Sequence, residues 1–313
     1  METPMHIREL ATGLQFPEGP IAMDDGSVLL VEIARGTLTR VRHDGLVQVV
    51  ADLGGGPNGA AIGPDGAVYI CNNGGFEWHT EADGCHRPVG QATDYSGGRI
   101  ERVNLATGRA ERLFDTVEGG ALCGPNDIVF DAHGGFYFTD LGKTRERDMD
   151  RGGLFYGHSD GSAARAIARP VTTPNGIALS PDGNTLYYAE TEGARVWAFD
   201  ITAPGRVRKD GWPSPHGGRM LCASPGGHYQ RFDSMAVDAL GNLCVATLLH
   251  GGISIVAPDG STVEHVPLPD RYTTNICFGG RDRRTAYVTL SGSGRLIAID
   301  DWPTPGLALN YEA

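Results

Sequence analysis

Six short phrases set an oxygen-bearing side chain just ahead of an apolar run: Phe16-Pro17-Glu18-Gly19-Pro20, Pro57-Asn58-Gly59, Pro125-Asn126-Asp127, Pro174-Asn175-Gly176, Phe232-Asp233-Ser234 and Thr274-Asn275-Ile276. The middle residues are Glu18, Asn58, Asn126, Asn175, Asp233 and Asn275. Brought to one point, they would form a cage of carboxylate and amide groups with two formal negative charges. Facing carboxylates repel and raise each other's pKa. A hard divalent cation balances both charges and prefers these oxygens. Calcium matches the ligand types best; magnesium, manganese, iron(II) and zinc stay open. Each Pro-Asn-Gly could be a turn signal alone. That reading leaves the acids of the first and fifth phrases unexplained.

The elements that would gather these residues form an internal repeat. After each phrase comes an apolar segment, a Pro/Asp/Gly-type turn, and a second apolar segment. Gly59-Ala-Ala-Ile-Gly-Pro-Asp-Gly-Ala-Val-Tyr-Ile-Cys and Gly176-Ile-Ala-Leu-Ser-Pro-Asp-Gly-Asn-Thr-Leu-Tyr-Tyr-Ala show the pattern. A third, alternating segment follows, as in Gly98-Arg-Ile-Glu-Arg-Val and Gly294-Arg-Leu-Ile-Ala-Ile. Short β-branched and aromatic runs between such turns are strands in hairpins. Fourth strands are weaker, with Arg109–Phe114 and Thr262–Val266 as candidates. No capped 3.6-residue stripe appears, so very little helix is expected.

Six such units predict an all-β fold: a six-bladed β-propeller of four-stranded antiparallel blades around a central, metal-containing channel, one domain over residues 1–313. The ring would be closed by an outer strand from His6-Ile-Arg-Glu-Leu or from Leu307-Ala-Leu-Asn. A four-stranded meander puts the six phrases on the same face as each connection between second and third strands. The longest of these, Asn73 to Gly97, holds Phe76, Glu77, Trp78, His79, His86 and Tyr95. The next, Asp140 to Gly152, holds Lys143, Arg145 and Arg147, which alternate with acids and read as a solvated face. A shorter one holds His250, and the segment Cys222–Arg231 opens on the same side. Long loops on one rim of a rigid scaffold are where binding sites are built. Trp78, His79 and His250 are therefore substrate-contact candidates, with Asn58, Asn126 and Asn275 beneath them.

The chain has 313 residues, 46 of them glycine, and a formal charge of −12. The charge argues against nucleic acid and anionic membranes as partners. The six cysteines include no C-x-x-C pair and do not read as a secreted disulfide framework. Cys244 and Cys277 sit in apolar strand patterns and read as buried thiols. Met-Glu-Thr-Pro-Met-His opens without a signal-like segment, and no run of about 18 apolar residues occurs. The expectation is a cytoplasmic protein.

Phe-Pro-Glu-Gly-Pro, Pro-Asn-Asp, Thr-Pro-Asn-Gly-Ile-Ala-Leu-Ser-Pro-Asp-Gly and Phe-Asp-Ser-Met-Ala-Val-Asp resemble the gluconolactonase/regucalcin (senescence marker protein) family of six-bladed propellers. That family is in turn similar to the diisopropylfluorophosphatase type. The resemblance implies one catalytic divalent ion held by Glu18, Asn126, Asn175 and Asp233, and hydrolysis of a lactone. Asp127 would support Asn126 or simply be a turn acid. In sugar lactonases of the family an Arg lies two residues before the third-blade Asn. Here that position is Gly124. The departure points to a less polar lactone or ester. The implied mechanism has the cation polarising the carbonyl. Asp233 would act as base or nucleophile, with water activated on the ion as the competing nucleophile. Rival readings are a phosphotriesterase on the same site, a strictosidine-synthase-like condensing enzyme, and a non-enzymatic propeller binding a partner on its rim.

Overall fold

The computed structural model describes residues 6–223 and 227–312, so part of the segment Cys222–Arg231 lies outside the described residues. Among the described residues there is no α-helix, and six antiparallel sheets form the blades of a propeller. The first blade is Pro17–Ala22, Val28–Glu32, Thr37–Val41 and Val47–Asp52. The second is Pro57–Ile62, Val68–Asn72, Arg99–Asn104 and Arg109–Phe114. The third runs from Pro125–Phe130 to Ala164–Val171. The fourth begins with Pro174–Leu179 and ends on Arg219–Ala223, with the short Arg206–Val207 beside its third strand. The fifth runs from Arg231–Val237 to Val263–Pro267. The sixth is Thr273–Gly279, Thr285–Leu290 and Arg295–Asp300, completed by His6–Ala11.

That last pairing settles the closure. His6–Ala11 lies antiparallel on Arg295–Asp300, and Arg8 donates to both carboxylate oxygens of Asp300 at 2.6 and 3.0 Å. Leu307 to Asn310 instead passes over the face opposite the long loops. Its Leu307 N–H donates to Val237 O at 2.9 Å, and Asn310 Nδ2 donates to Phe130 O at 2.8 Å. Both weak outer strands exist, as Arg109–Phe114 and Val263–Pro267.

The core is divided between blades. Tyr69, Cys71 and Ile100 of the second blade meet Phe130, Phe136 and Phe138 of the third. Val28 and Leu30 of the first meet Tyr287 and Leu296 of the sixth. Alternate residues of each inner sheet face are apolar, so neighbouring blades stack face to face and burial favours the closed ring.

Two features of the rim depart from the sequence reading. Asn73 to Gly97 is not an irregular loop: Phe76–Thr80 and His86–Gln91 pair as a hairpin. Lys143 is not on a solvated face. It is 1% exposed, whereas Arg145 and Arg147 do face solvent. All six cysteines are free. Cys244 is buried as expected, but Cys277 is only half-buried, because it borders an open cavity in the lower channel.

Candidate active site

Each of the six phrases lies at the start of an innermost strand, inside the sheet and not in a turn. Every one of these strands loses ladder register just there. The shifts fall between Glu18 and Ile21, Pro57 and Ala60, Pro125 and Ile128, Pro174 and Ile177, Phe232 and Met235, and Thr273 and Asn275. A bulge re-aims side chains and frees backbone groups. The innermost strands neighbour one another in order around the axis, so the six displaced residues crowd one level of the channel.

The glycine of the phrase now has a reason. A Cβ on Gly19 would lie 2.6 Å from Asn58 O, on Gly59 2.5 Å from Asn126 O, and on Gly176 2.7 Å from Asp233 O. Glycine therefore lets the backbone of the next blade come close. Asp127 stands at this position in the third blade. Its carboxylate accepts from Ile128 N–H at 2.9 Å and from Ile177 N–H of the next blade at 3.3 Å. Asp127 thus joins the ring as a third buried acid, more than the turn residue its spacing suggested.

Glu18, Asn58, Asn126, Asn175 and Asn275 are all nearly inaccessible, and Asp233 keeps some accessible surface within the walled channel. Asn275 Nδ2 donates to Glu18 Oε2 at 2.7 Å, and Asn175 Nδ2 donates to Thr191 Oγ1 at 3.0 Å. Glu18 Oε1 and Asn126 Oδ1 are buried and accept nothing from the protein. Desolvation and the nearby Asp233 charge push the Glu18 carboxyl well above the usual range. Desolvation, with a smaller contribution from Asp127, raises Asp233 to about 7, against the pull of hydrogen bonds from Asn175 and the Ser234 backbone. Asp127 is likewise raised to about 7 by burial. Three acids gathered without a counter-charge, two oxygens lacking a donor, and amides beside them fit a hard divalent cation. Among the described residues no group of three or more His, Cys, Asp or Glu is arranged to hold a metal. A cation here would thus need amide oxygens as well as carboxylates.

Of the rim candidates, Trp78 comes to the mouth and two others do not. Trp78 lies 5.1 Å from the ring of Phe16, two residues before Glu18, and stacks on His86 at 4.7 Å. His79 is on the outer face of the same strand, exposed, 3.6 Å from Glu81. His250 is exposed and sandwiched between His228 and His265 at 5.3 and 4.3 Å. A cavity of about 870 Å³ lies on the other side of the ring. It runs from Gly19, Asp127 and Asn275 down past Met23, Phe130 and Cys277. It is the lower channel, away from the 76–91 hairpin.

Residues 16–292 match the family of SMP-30/Gluconolactonase/LRE-like regions. The chain belongs to this family. It is 26% identical over 319 residues to a gluconolactonase of Zymomonas mobilis, covering 93% of this chain and 80% of that one. A gluconolactonase structure from Xanthomonas campestris superposes with a TM-score of 0.73 at 23% identity, covering 96% of this chain and 90% of that chain. The calcium-binding regucalcin of Agrobacterium tumefaciens gives a TM-score of 0.70 at 17% identity, covering 97% and 95%. Gly124, where the resemblance implies an arginine, stands in a tight place. A Cβ there would lie 2.4 Å from Gly142 O, so no arginine fits this backbone. The Asp140 carboxylate clamps the region, accepting from the N–H groups of Cys123, Gly124 and Gly142 at 2.7 to 2.9 Å.

Proposed function

We propose that the protein is a metal-dependent lactone hydrolase whose site is the axial ring. Relatives named gluconolactonase and lactonase support lactone hydrolysis. The pair of donorless buried oxygens, Glu18 Oε1 and Asn126 Oδ1, beside the uncompensated acids carries the metal reading. The calcium-binding neighbour agrees with it. Glu18, Asn126, Asn175 and Asp233 would hold the ion. A divalent ion in this cage supplies positive charge for the lactone carbonyl oxygen as it becomes an oxyanion.

The chain's own groups do the rest. Asp233 retains solvent contact and can take a proton from a water that attacks the carbonyl carbon, or attack that carbon itself. When water attacks, the ring C–O bond then breaks, the leaving alkoxide takes the proton held on Asp233, and the product is the open hydroxy acid; when Asp233 attacks, the same bond breaks to leave the acyl group on Asp233, and a water must then cleave that anhydride to release the hydroxy acid. Thr191 fixes the Asn175 amide by accepting from its Nδ2, and the Asn175 carbonyl oxygen, which accepts one long bond from Ser234 Oγ at 3.5 Å, keeps a second lone pair for ion or substrate. Asn275 holds one Glu18 oxygen and so turns the other into the cage. Without a cationic side chain at Gly124, the site lacks that group for a sugar-acid carboxylate or hydroxyls, which favours a less polar lactone.

The test is turnover of a panel of sugar, aliphatic and aromatic lactones beside organophosphate triesters, for the wild type and Asp233→Asn. Lactone opening that is lost in the variant, while its melting curve stays cooperative, is the expected result. Equal rates for the two proteins, or triester cleavage alone, would overturn the assignment.

A further inference from the structure

The buried Lys143 has no role in the reaction as drawn, yet it is among the largest fully buried side chains of the protein. It lies in the connection between the second and third strands of blade three. Its partners lie in the long connection of blade two. Lys143 Nζ donates to Asn73 Oδ1 and to Gly75 O, both at 2.9 Å, and stands 3.8 Å from the centre of the Phe76 ring. Asn73 Oδ1 also accepts from the Gly75 N–H at 2.9 Å. These residues are the root of the 76–91 hairpin.

The hairpin crosses the mouth from that root. Its second strand is tied to blade three by Gln91 N–H donating to Thr144 O at 3.0 Å. Its tip reaches blade six, where His86 N–H donates to Gly292 O at 2.9 Å and Asp83 pairs with Arg271 at 2.8 Å. Between root and tip, Trp78 rests on Phe16, itself flanked by Tyr272 at 6.2 Å. Phe16 holds a left-handed backbone, φ 56°, which a bulky side chain adopts only when its surroundings enforce it.

We propose that Lys143 is a positioning residue for the site: it latches the hairpin across the channel mouth and thereby sets where Trp78 and Phe16 stand beside Glu18. The proposal rests on the reading of the ring as the lactone site for its effect on catalysis, though not for the latch itself. The cation matters to the latch, because an ammonium over an aromatic face is held by the ring quadrupole and a neutral amine is not. Burial lowers Lys143 to about 7, opposed by the carboxylates of Asp140 and Asp150 on its own side, where the Cys123 thiol, raised to about 11, stays neutral. From the hairpin side it meets Asn73, the Gly75 carbonyl, Phe76 and, at 5.5 Å, Tyr95, none of them an acid. The latch is therefore charged and tight below neutrality and loosens as pH rises through about 7.

The experiment is hydrogen–deuterium exchange of residues 76–91 in the full chain, read at about pH 6 and about pH 8.5 with intrinsic rates corrected, alongside kcat and KM for glucono-1,5-lactone and dihydrocoumarin. Lys143→Met should expose the hairpin to exchange at both pH values. It should raise KM roughly tenfold, the scale of one charge-assisted hydrogen bond, with kcat changed far less. The wild-type rise in KM with pH should disappear in this variant. Phe76→Leu, which keeps both hydrogen bonds, should retain the fold and lessen the pH dependence of hairpin exchange without abolishing it, since the two charge-assisted bonds still weaken when Lys143 loses its proton. Unchanged protection of residues 76–91 in Lys143→Met, or a wild-type hairpin equally protected at both pH values, overturns the latch. Should no lactone be opened, the exchange data alone decide the latch, and the functional reading fails separately.

Discussion

Neutralising one acid of the ring should stabilise the metal-free protein, and only at higher pH. In Asp233→Asn the side chain keeps its shape and loses its charge. The Asp233 pKa stands at about 7 in the fold against an ordinary 3.8. A raised folded-state pKa means that the folded state binds the proton more tightly. The stabilisation is fully present below about pH 4 and is lost as pH rises through about 7. The shift of about three units corresponds to at most ~4 kcal/mol, less in practice because Asp233 keeps solvent contact. At about 2 °C per kcal/mol for a chain of this size, the variant should melt several degrees above chelated wild type at about pH 8.5, and together with it at about pH 4. Glu18 and Asp127 remain, so the variant keeps a shallower slope of its own. Adding a divalent ion should close the gap at high pH, and reverse the order at about a thousandfold excess over Kd, where the gain reaches about 4 kcal/mol. Wild type would gain about 2.7 kcal/mol at a hundredfold excess over Kd, and the variant far less. Differential scanning fluorimetry across pH, with EDTA and with added calcium, reads all of this. Parallel pH curves for the two proteins, or a chelated wild type that grows more stable from about pH 4 to 7, would refute the reasoning.

Gly176→Ala should cost both stability and turnover, because its Cβ would press 2.7 Å from Asp233 O and push apart the two blades that carry Asn175 and Asp233; melting and lactone rates measured together check it. His250→Ala should leave kcat within about twofold, since the ring contacts of His250 are other histidines and it lies on the exposed rim.

The six-fold phrase made the blades and the axial ring legible, because strand period and turn chemistry are local signals. What the phrase was for could not be read the same way. Pro-Asn-Gly looks like a turn, but Gly59 and Gly176 serve contacts with the next blade, far along the chain. Asp127 is hidden in the sequence for the same reason: its reach to Ile177 is a contact between blades. The 76–91 hairpin escaped because its strands lie on the rim and bury little, so Glu77 and His79 alternate with Phe76 and Trp78 over too short a stretch to stand out. Lys143 departs from the solvated pattern of its stretch because its acidic neighbours belong to the surface, whereas its own side chain turns inward to Asn73 and Phe76. Choosing His6–Ala11 over Leu307–Asn310 for closure also needed the fold, since both are short apolar-polar stretches of similar pattern.

The central claim is that the axial ring is a divalent-cation site, and isothermal titration of chelated protein with calcium tests it most directly. Run near pH 6 in buffers of different ionisation enthalpy, it should show one ion bound per chain with release of protons, because Asp233, raised to about 7, still carries its proton there. The release should shrink near pH 9, and Glu18→Gln and Asp233→Asn should each bind the ion much more weakly. No binding of calcium or of the other divalent ions, or binding that both variants leave untouched, would contradict the account.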